Sequence, residues 1–298
     1  MNLLDRIQFE YEDMSKGQKR IAEFILHNYD KAAFSTAAKM GQAIGVSEST
    51  VVRFAYAMGF SGYPELQASL QELIRNKLTS VQRLNLLGNM SEEDLLRAVF
   101  KSDISNIKKT IEGVNAQDFT EMIDELLKAK SVYIVGLRSS MPLAQILHYY
   151  LNFVLDDVRL LAPLASDVFE QMVRISDEDV FVAISFPRYS RRTLDAMRYA
   201  RKAGAYTVAL TDSSISPLYE LADKALIARS DMASFADSLV APLSLINGII
   251  TVLSVRNKSA VVERLHTLED IWNRQNIYID ESERSSLFPG KPNEGEEA

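Results

Sequence analysis

Three short segments of this 298-residue chain gather hydroxyl and guanidinium groups at a density that implies chemistry rather than packing. They read VGLRSSMPLA (residues 135–144), ISFPRYSRRTL (184–194) and LTDSSISPLYELAD (210–223). Arg138, Ser139 and Ser140 stand in the first, and Ser185, Arg188, Tyr189 and Ser190 in the second. Hydroxyls and backbone N–H groups at the start of helices, together with the positive helix ends, make a cradle for an anion. The planar forks of Arg138 and Arg188 suit a carboxylate or a phosphate, and Tyr189 either stacks on such a ligand or bonds to it. The competing reading is that both arginines form surface or interdomain ion pairs beside a pocket that has degenerated.

A fourth segment, TAAKMGQAIGVSESTVVRFAYAM (36–58), carries a different chemistry. Its spacing predicts a short helix, a tight turn at Gly45 and a second helix capped by Ser47, with Met40, Ile44, Val46, Val51 and Phe54 turned inward. Ser47, Glu48, Ser49, Thr50 and Arg53 then lie on the outer face at the start of the second helix, where a helix-turn-helix offers side chains to the DNA major groove. The hydroxyls of Ser49 and Thr50 reach phosphates or base edges, Arg53 grips a phosphate or a guanine, and Tyr56 is a further candidate. An ordinary helical hairpin with a solvated polar face is the alternative. Lys16, Lys19 and Arg20, around the start of an earlier helix, are either phosphate contacts or a solvated face.

The pattern from Asn2 to Lys77 is helical, without a strand-like alternation. Residues 79–90 are polar and irregular, and Ser91 before Glu92, Glu93 and Asp94 makes an N-cap with acids in the first turn. Beyond Ser131, β-rich runs alternate with helical stretches: Val132–Val135, Val158–Leu161, Val180–Ser185, Tyr206–Leu210 and a weaker Ala225–Ala228. That alternation predicts βαβ units, a doubly wound parallel sheet between two helical layers, and ligands at the carboxyl ends of the strands. The expected organisation is an all-α helix-turn-helix domain over 1–78, a linker over 79–90, an α/β domain over 91–279 and a disordered tail over 280–298.

Composition sets the outer bounds. A hydrophobic share of 47% with 24% charged residues is ordinary for a globular protein, and no run of about 18 uncharged apolar residues would span a bilayer. Asp5, Arg6 and Glu10 interrupt any secretory core at the start, so a cytoplasmic protein is expected. The absence of cysteine removes disulfides and thiolate chemistry, three histidines argue against a histidine cage, and no metal or cofactor is expected. The net charge of −7 is unevenly spread: residues 1–80 hold nine bases and nine acids, leaving 24 bases and 31 acids in the remainder. The neutral segment permits DNA binding without arguing for it.

Read together, GVSESTVVRFAYAMGFSGYPELQ and the upstream SKGQKRIAEFILHN resemble the N-terminal domain of RpiR/MurR-type transcription regulators, which join it to a C-terminal SIS (sugar isomerase) domain. The resemblance covers nearly the whole chain, and VSESTVVRF followed by GFSGY is its most specific part. It implies a DNA-binding regulator, in most cases a repressor of a catabolic or transport operon, whose SIS domain senses a phosphosugar. The segment after the fourth strand matches SIS domains closely, whereas the first two loops depart from them. The usual wordings there are like GSGSS and SxSGxT followed by an acid; Arg138 and Arg188 each replace a glycine, Pro187 replaces a hydroxyl, and Arg192 takes the place of the acid.

The alternative is a sugar-phosphate isomerase, which needs a base placed to move a proton between adjacent carbons. No base stands out: His148 lies in the apolar run ILHYYLNF as a core or interface residue, Asp212 belongs to the family's turn, and Glu220 lies in a helix. The expected partners are a double-stranded DNA operator, a small anionic metabolite (a phosphosugar or a carboxylate) and further copies of the chain. A homodimer or homotetramer would bring DNA-binding domains together, with the apolar helices Phe235–Val255 and Ser91–Val114 as candidate contacts.

Overall fold

The structure is a computed structural model, and it describes residues 3–77, 91–163, 166–231 and 236–278. The linker expected over 79–90 and the tail expected over 280–298 lie outside them. Two compact units emerge: the first holds the described residues up to Phe100 with Ala236 and Asp237, and the second those from Lys101 to Asp231 and from Ser238 on.

The first unit is all helical: α1 (Leu3–Glu10), α2 (Lys16–His27), α3 (Tyr29–Ala33), α4 (Ala37–Ile44), α5 (Glu48–Ala57) and α6 (Tyr63–Lys77). Capping decides where the chain restarts each helix. Ser15 and Gln18 form a reciprocal capping box at α2, Thr36 caps α4 through the Lys39 N–H, and Ser47 caps α5 through the Thr50 N–H. The apolar positions meet in one core of Ile7, Ile21, Ile25, Met40, Val51, Phe54, Met58, Leu66 and Leu70. Tyr63 joins this core with its hydroxyl donating to the Ser35 carbonyl at 2.5 Å, and burial pushes its phenol up to about 12.

The second unit is built on a five-stranded, all-parallel sheet: β1 (Val132–Gly136), β2 (Val158–Leu161), β3 (Val180–Ile184), β4 (Tyr206–Thr211) and β5 (Lys224–Ile227), in the order β2-β1-β3-β4-β5. Helix α7 (Glu92–Gly113), whose first residues up to Phe100 belong to the first unit, and α8 (Ala116–Lys128) come before β1. They are followed by α9 (Met141–Leu151), α10 (Val168–Gln171), α11 (Arg191–Lys202), α12 (Val240–Arg256) and α13 (Lys258–Arg274).

Alternate strand residues face opposite layers. Val132, Ile134, Val180, Val182, Ile184, Val208 and Leu210 pack with α8, α9 and α12 on one side. Tyr133, Val135, Phe181, Ala183 and Ala209 pack with α10 and α11 on the other. Both faces are therefore covered, and the three-layer αβα architecture follows. The expected strands recur within about one residue. Ser185 drops out of β3: its N–H still bonds Leu210 at 3.1 Å, but its carbonyl is taken by the Thr211 hydroxyl at 2.9 Å. The apolar helix expected from Phe235 begins at Val240. Among the described residues no single helix is long and apolar enough to cross a membrane, and no cluster of His, Asp and Glu could hold a metal ion.

Candidate functional site

In the first unit the chemistry gathers at the start of α5. Gly45 adopts φ 71°, the left-handed conformation that ends α4 and turns the chain toward α5. A Cβ at Gly41 would lie 2.7 Å from the Val46 carbonyl oxygen, so only glycine lets the turn fold back over α4. Ser47, Glu48 and Ser49 are exposed, Thr50 is half-buried, and Arg53 and Tyr56 are exposed further along the same helix. The Ser47 hydroxyl lies 2.9 Å from that of Ser49 and 2.8 Å from that of Thr50, and the Arg53 Nε donates to the Ser49 carbonyl at 3.3 Å.

The start of α2 lies against the start of α5. Gly17 runs so near Thr50 that a Cβ there would sit 3.2 Å from its methyl group. Arg20 is exposed, with its Nη1 4.0 Å from where a Gly45 Cβ would be, and Lys16 is exposed one turn earlier. Lys19 is differently employed: it pairs with Glu12 at 3.7 Å and lies over the Tyr11 ring, 5.2 Å from its centre. Lys16 and Arg20 thus flank α5 with free reach, whereas Lys19 is held by side chains of its own unit. The sequence pattern marks Ser15 to Gly17 as a break between helices, whereas Gly17 lies in the first turn of α2, where a glycine permits close approach.

In the second unit the hydroxyl- and arginine-bearing loops follow β1 and β3. These strands are neighbours, with Gly136 in register with Ile184. The helix after β1 packs on one face of the sheet and the helix after β3 on the other. The crevice between such strands is where doubly wound sheets take ligands. Arg138 and Arg188 hold φ 58° and 66°, the left-handed region that glycine enters at no steric cost. Their side chains are exposed at the strand ends, with Ser139 exposed and Ser140 buried beside the first.

The second loop is tied from within. Buried Ser185 accepts the Ser190 N–H at 3.2 Å, and Ser190 caps α11 through the Thr193 N–H at 3.4 Å. Tyr189 donates its hydroxyl to Asp212 Oδ1 at 2.8 Å, and the Thr211 hydroxyl meets that of Ser216 at 2.7 Å. Asp212 Oδ2, Ser213 Oγ and Thr193 Oγ1 are buried without a hydrogen-bond partner among the described residues. A buried acceptor in that condition costs about 1–3 kcal/mol. Arg192 turns away to pair with Asp167 at the start of α10. His148 is half-buried on α9, and Glu220 is exposed in a 3₁₀ turn.

Comparison with known proteins agrees with this division. Residues 1–77 match the helix-turn-helix domain of the rpiR family, and residues 125–252 match the SIS domain. The chain is 30% identical over 218 residues to the HTH-type transcriptional regulator HexR of Escherichia coli K12, covering 72% of this chain and 73% of that one. It is 29% identical over 221 residues to HexR of Pseudomonas aeruginosa, covering 73% and 75%. Among solved structures, the sugar isomerase domain of an RpiR transcription factor from Sphaerobacter thermophilus superposes with a TM-score of 0.56 at 26% identity, covering 58% of this chain and 96% of that one. The Vibrio vulnificus NanR protein complexed with ManNAc-6P has the same fold, with a TM-score of 0.56 at 22% identity over 91% of this chain and 98% of that one.

Proposed function

The chain belongs to the rpiR family of helix-turn-helix transcriptional regulators with a SIS domain, and from that premise we propose that it is a repressor that releases its operator on binding an anionic metabolite. In this reading α5 enters the major groove. Ser47, Glu48, Ser49, Thr50, Arg53 and Tyr56 face the bases and adjoining phosphates, with Lys16, Arg20 and, after leaving Glu12, Lys19 on the backbone. The neutral charge of residues 1–80 makes these few cations the source of phosphate affinity.

The effector is a phosphosugar or a carboxylate held by Arg138, Ser139, Ser140, Ser185, Arg188, Tyr189 and Ser190. The observation that carries this is the pair of arginines held at glycine-type φ at the ends of adjacent strands. Backbone strain of that kind, about 1–2 kcal/mol per residue, persists where a side chain is wanted at one place. The NanR fold holding ManNAc-6P supports a sugar phosphate as the first compound to try. An isomerase would need a base at the crevice; Asp212 is engaged by Tyr189, and the named relatives are regulators.

Two or four copies in the cytoplasm read paired half-sites, and the effector binds one arrangement of the SIS domains better, shifting the population away from DNA. The genes governed are those for catabolism or transport of the effector. The test is a fluorescence-anisotropy titration of the chain's own promoter fragment, with and without a panel of sugar phosphates and sugar acids. Arg53→Ala is expected to weaken DNA binding at least tenfold. Arg138→Ala and Arg188→Ala are expected to keep DNA binding and lose the response to effector. Wild-type DNA affinity in the Arg53 variant overturns the assignment of α5, and unchanged effector response in both others overturns the crevice.

A further inference from the structure

A cleft of about 310 Å³ opens in the SIS domain between the end of α9, α12 and α13. Tyr150 and Phe153 line it from the end of α9, Ile250 from α12, and Leu265 and Trp272 from α13, with Tyr278 closing the wall beyond. Among the described residues its lining holds no charged side chain. The rings meet edge to face, Tyr150 against Phe153 at 6.2 Å between centres and Trp272 against Tyr278 at 5.3 Å. The cleft is nevertheless open to solvent, with Tyr150 44% and Tyr278 63% exposed. Phe153 also lines an adjoining cleft in which Arg264 stands. Arg264 pairs through Nη2 with Asp156, whereas its Nη1 is buried without an acceptor among the described residues. Exposed rings beside an unsatisfied guanidinium nitrogen call for an occupant both apolar and acidic.

We propose that the occupant is the carboxyl-terminal segment of this same chain, with Leu287 and Phe288 seated among the rings and one of Asp280, Glu281 and Glu283 on Arg264. Position favours it first. Tyr278, the last described residue, is itself part of the wall, so the chain leaves the described residues inside the cleft it would fill. Reach allows it. Leu287 comes nine residues after Tyr278, a span of up to about 30 Å when extended, whereas Leu265 lies only about 10 Å along α13 from Trp272. Composition selects the residues. Between 280 and 298 the only large apolar side chains are Leu287 and Phe288, and the three acids precede them. So short a tether holds the pair at a local concentration in the millimolar range, and a contact too weak to capture a free peptide suffices. The seated segment bears on the end of α9, the helix that begins directly after Ser139 and Ser140.

Neither DNA nor effector enters the test, so it stands apart from the regulator reading. Trp272 is the only tryptophan, and its emission reports the cleft. Ending the chain after Tyr278 is expected to leave the circular dichroism spectrum unchanged, to shift Trp272 emission to the red and to raise its quenching by acrylamide at least twofold. Leu287→Asp with Phe288→Asp is expected to do the same in the chain of full length. Asp280→Asn, Glu281→Gln and Glu283→Gln together are expected to raise the quenching part of the way. Because the chain has no cysteine, Leu265→Cys with Phe288→Cys sets a single thiol pair, which is expected to cross-link within one chain on oxidation. Trp272 emission and quenching that ignore both the truncation and the Leu287 and Phe288 changes overturn the docking. Absence of the cross-link overturns it too, as does a cross-link between chains, which assigns the cleft to a second copy. Quenching unmoved by the three acid changes overturns the contact with Arg264.

Discussion

At the scale of single residues, the two arginines in left-handed backbone let the proposed effector role be tested apart from the fold. Glycine at either place would relieve about 1 kcal/mol of strain while gaining a similar freedom in the unfolded chain. Arg138→Gly and Arg188→Gly are therefore expected to unfold within about 1 kcal/mol of wild type in urea, yet to lose the thermal shift that effector produces. A drop of several kcal/mol would show the arginines to be structural. The sequence made these positions visible through the glycines that related loops carry there. It did not show that Asp212 is buried under Tyr189, because their meeting spans 23 residues and needs the sheet to be built first. The hydroxyls at the start of α5 have a consequence of their own. Ser47 Oγ has one proton and already accepts the Thr50 N–H, so it donates to one of Ser49 and Thr50 and accepts from the other. One of those two hydroxyls then keeps a proton free for phosphate, while the other shows lone pairs outward.

At the scale of elements, the α4–α5 turn depends on a clearance. Gly41→Ala would press a methyl group against the Val46 carbonyl, and a destabilisation of about 1–3 kcal/mol is expected, read from the urea midpoint of the chain. Tyr63 makes the same unit sensitive to base. Its phenol is raised to about 12 in the folded state from an ordinary 10, so the fold holds a proton that the unfolded chain gives up first. The stabilisation is complete below pH 10 and is lost as the pH climbs toward 12. Tyr63→Phe is expected to flatten that decline in a pH series of melting curves. Strands such as β1 and β3 were legible as continuous apolar runs because both faces are buried. The four-residue α10 was not, since one turn of helix held by its Asp167 cap has no periodicity to read.

At the scale of the molecule, the acidic excess lies outside residues 1–80, so in the proposed reading DNA binding depends on few cations. With Lys16, Lys19, Arg20 and Arg53 of two copies on phosphates, eight contacts give a slope of about −7 for log affinity against log salt. Arg20→Ala is expected to reduce it by about 2, and an unchanged slope removes Arg20 from the interface. The sheet carries a further consequence. Its two margins, β2 and β5, are only four residues long, and each includes a cation, Arg159 held by Asp157 and Lys224 held by Asp118 and Glu121. Short, charged margins resist strand-to-strand accretion between neighbouring molecules. Two molecules meeting margin to margin would therefore not add strand to strand and seed a fibre.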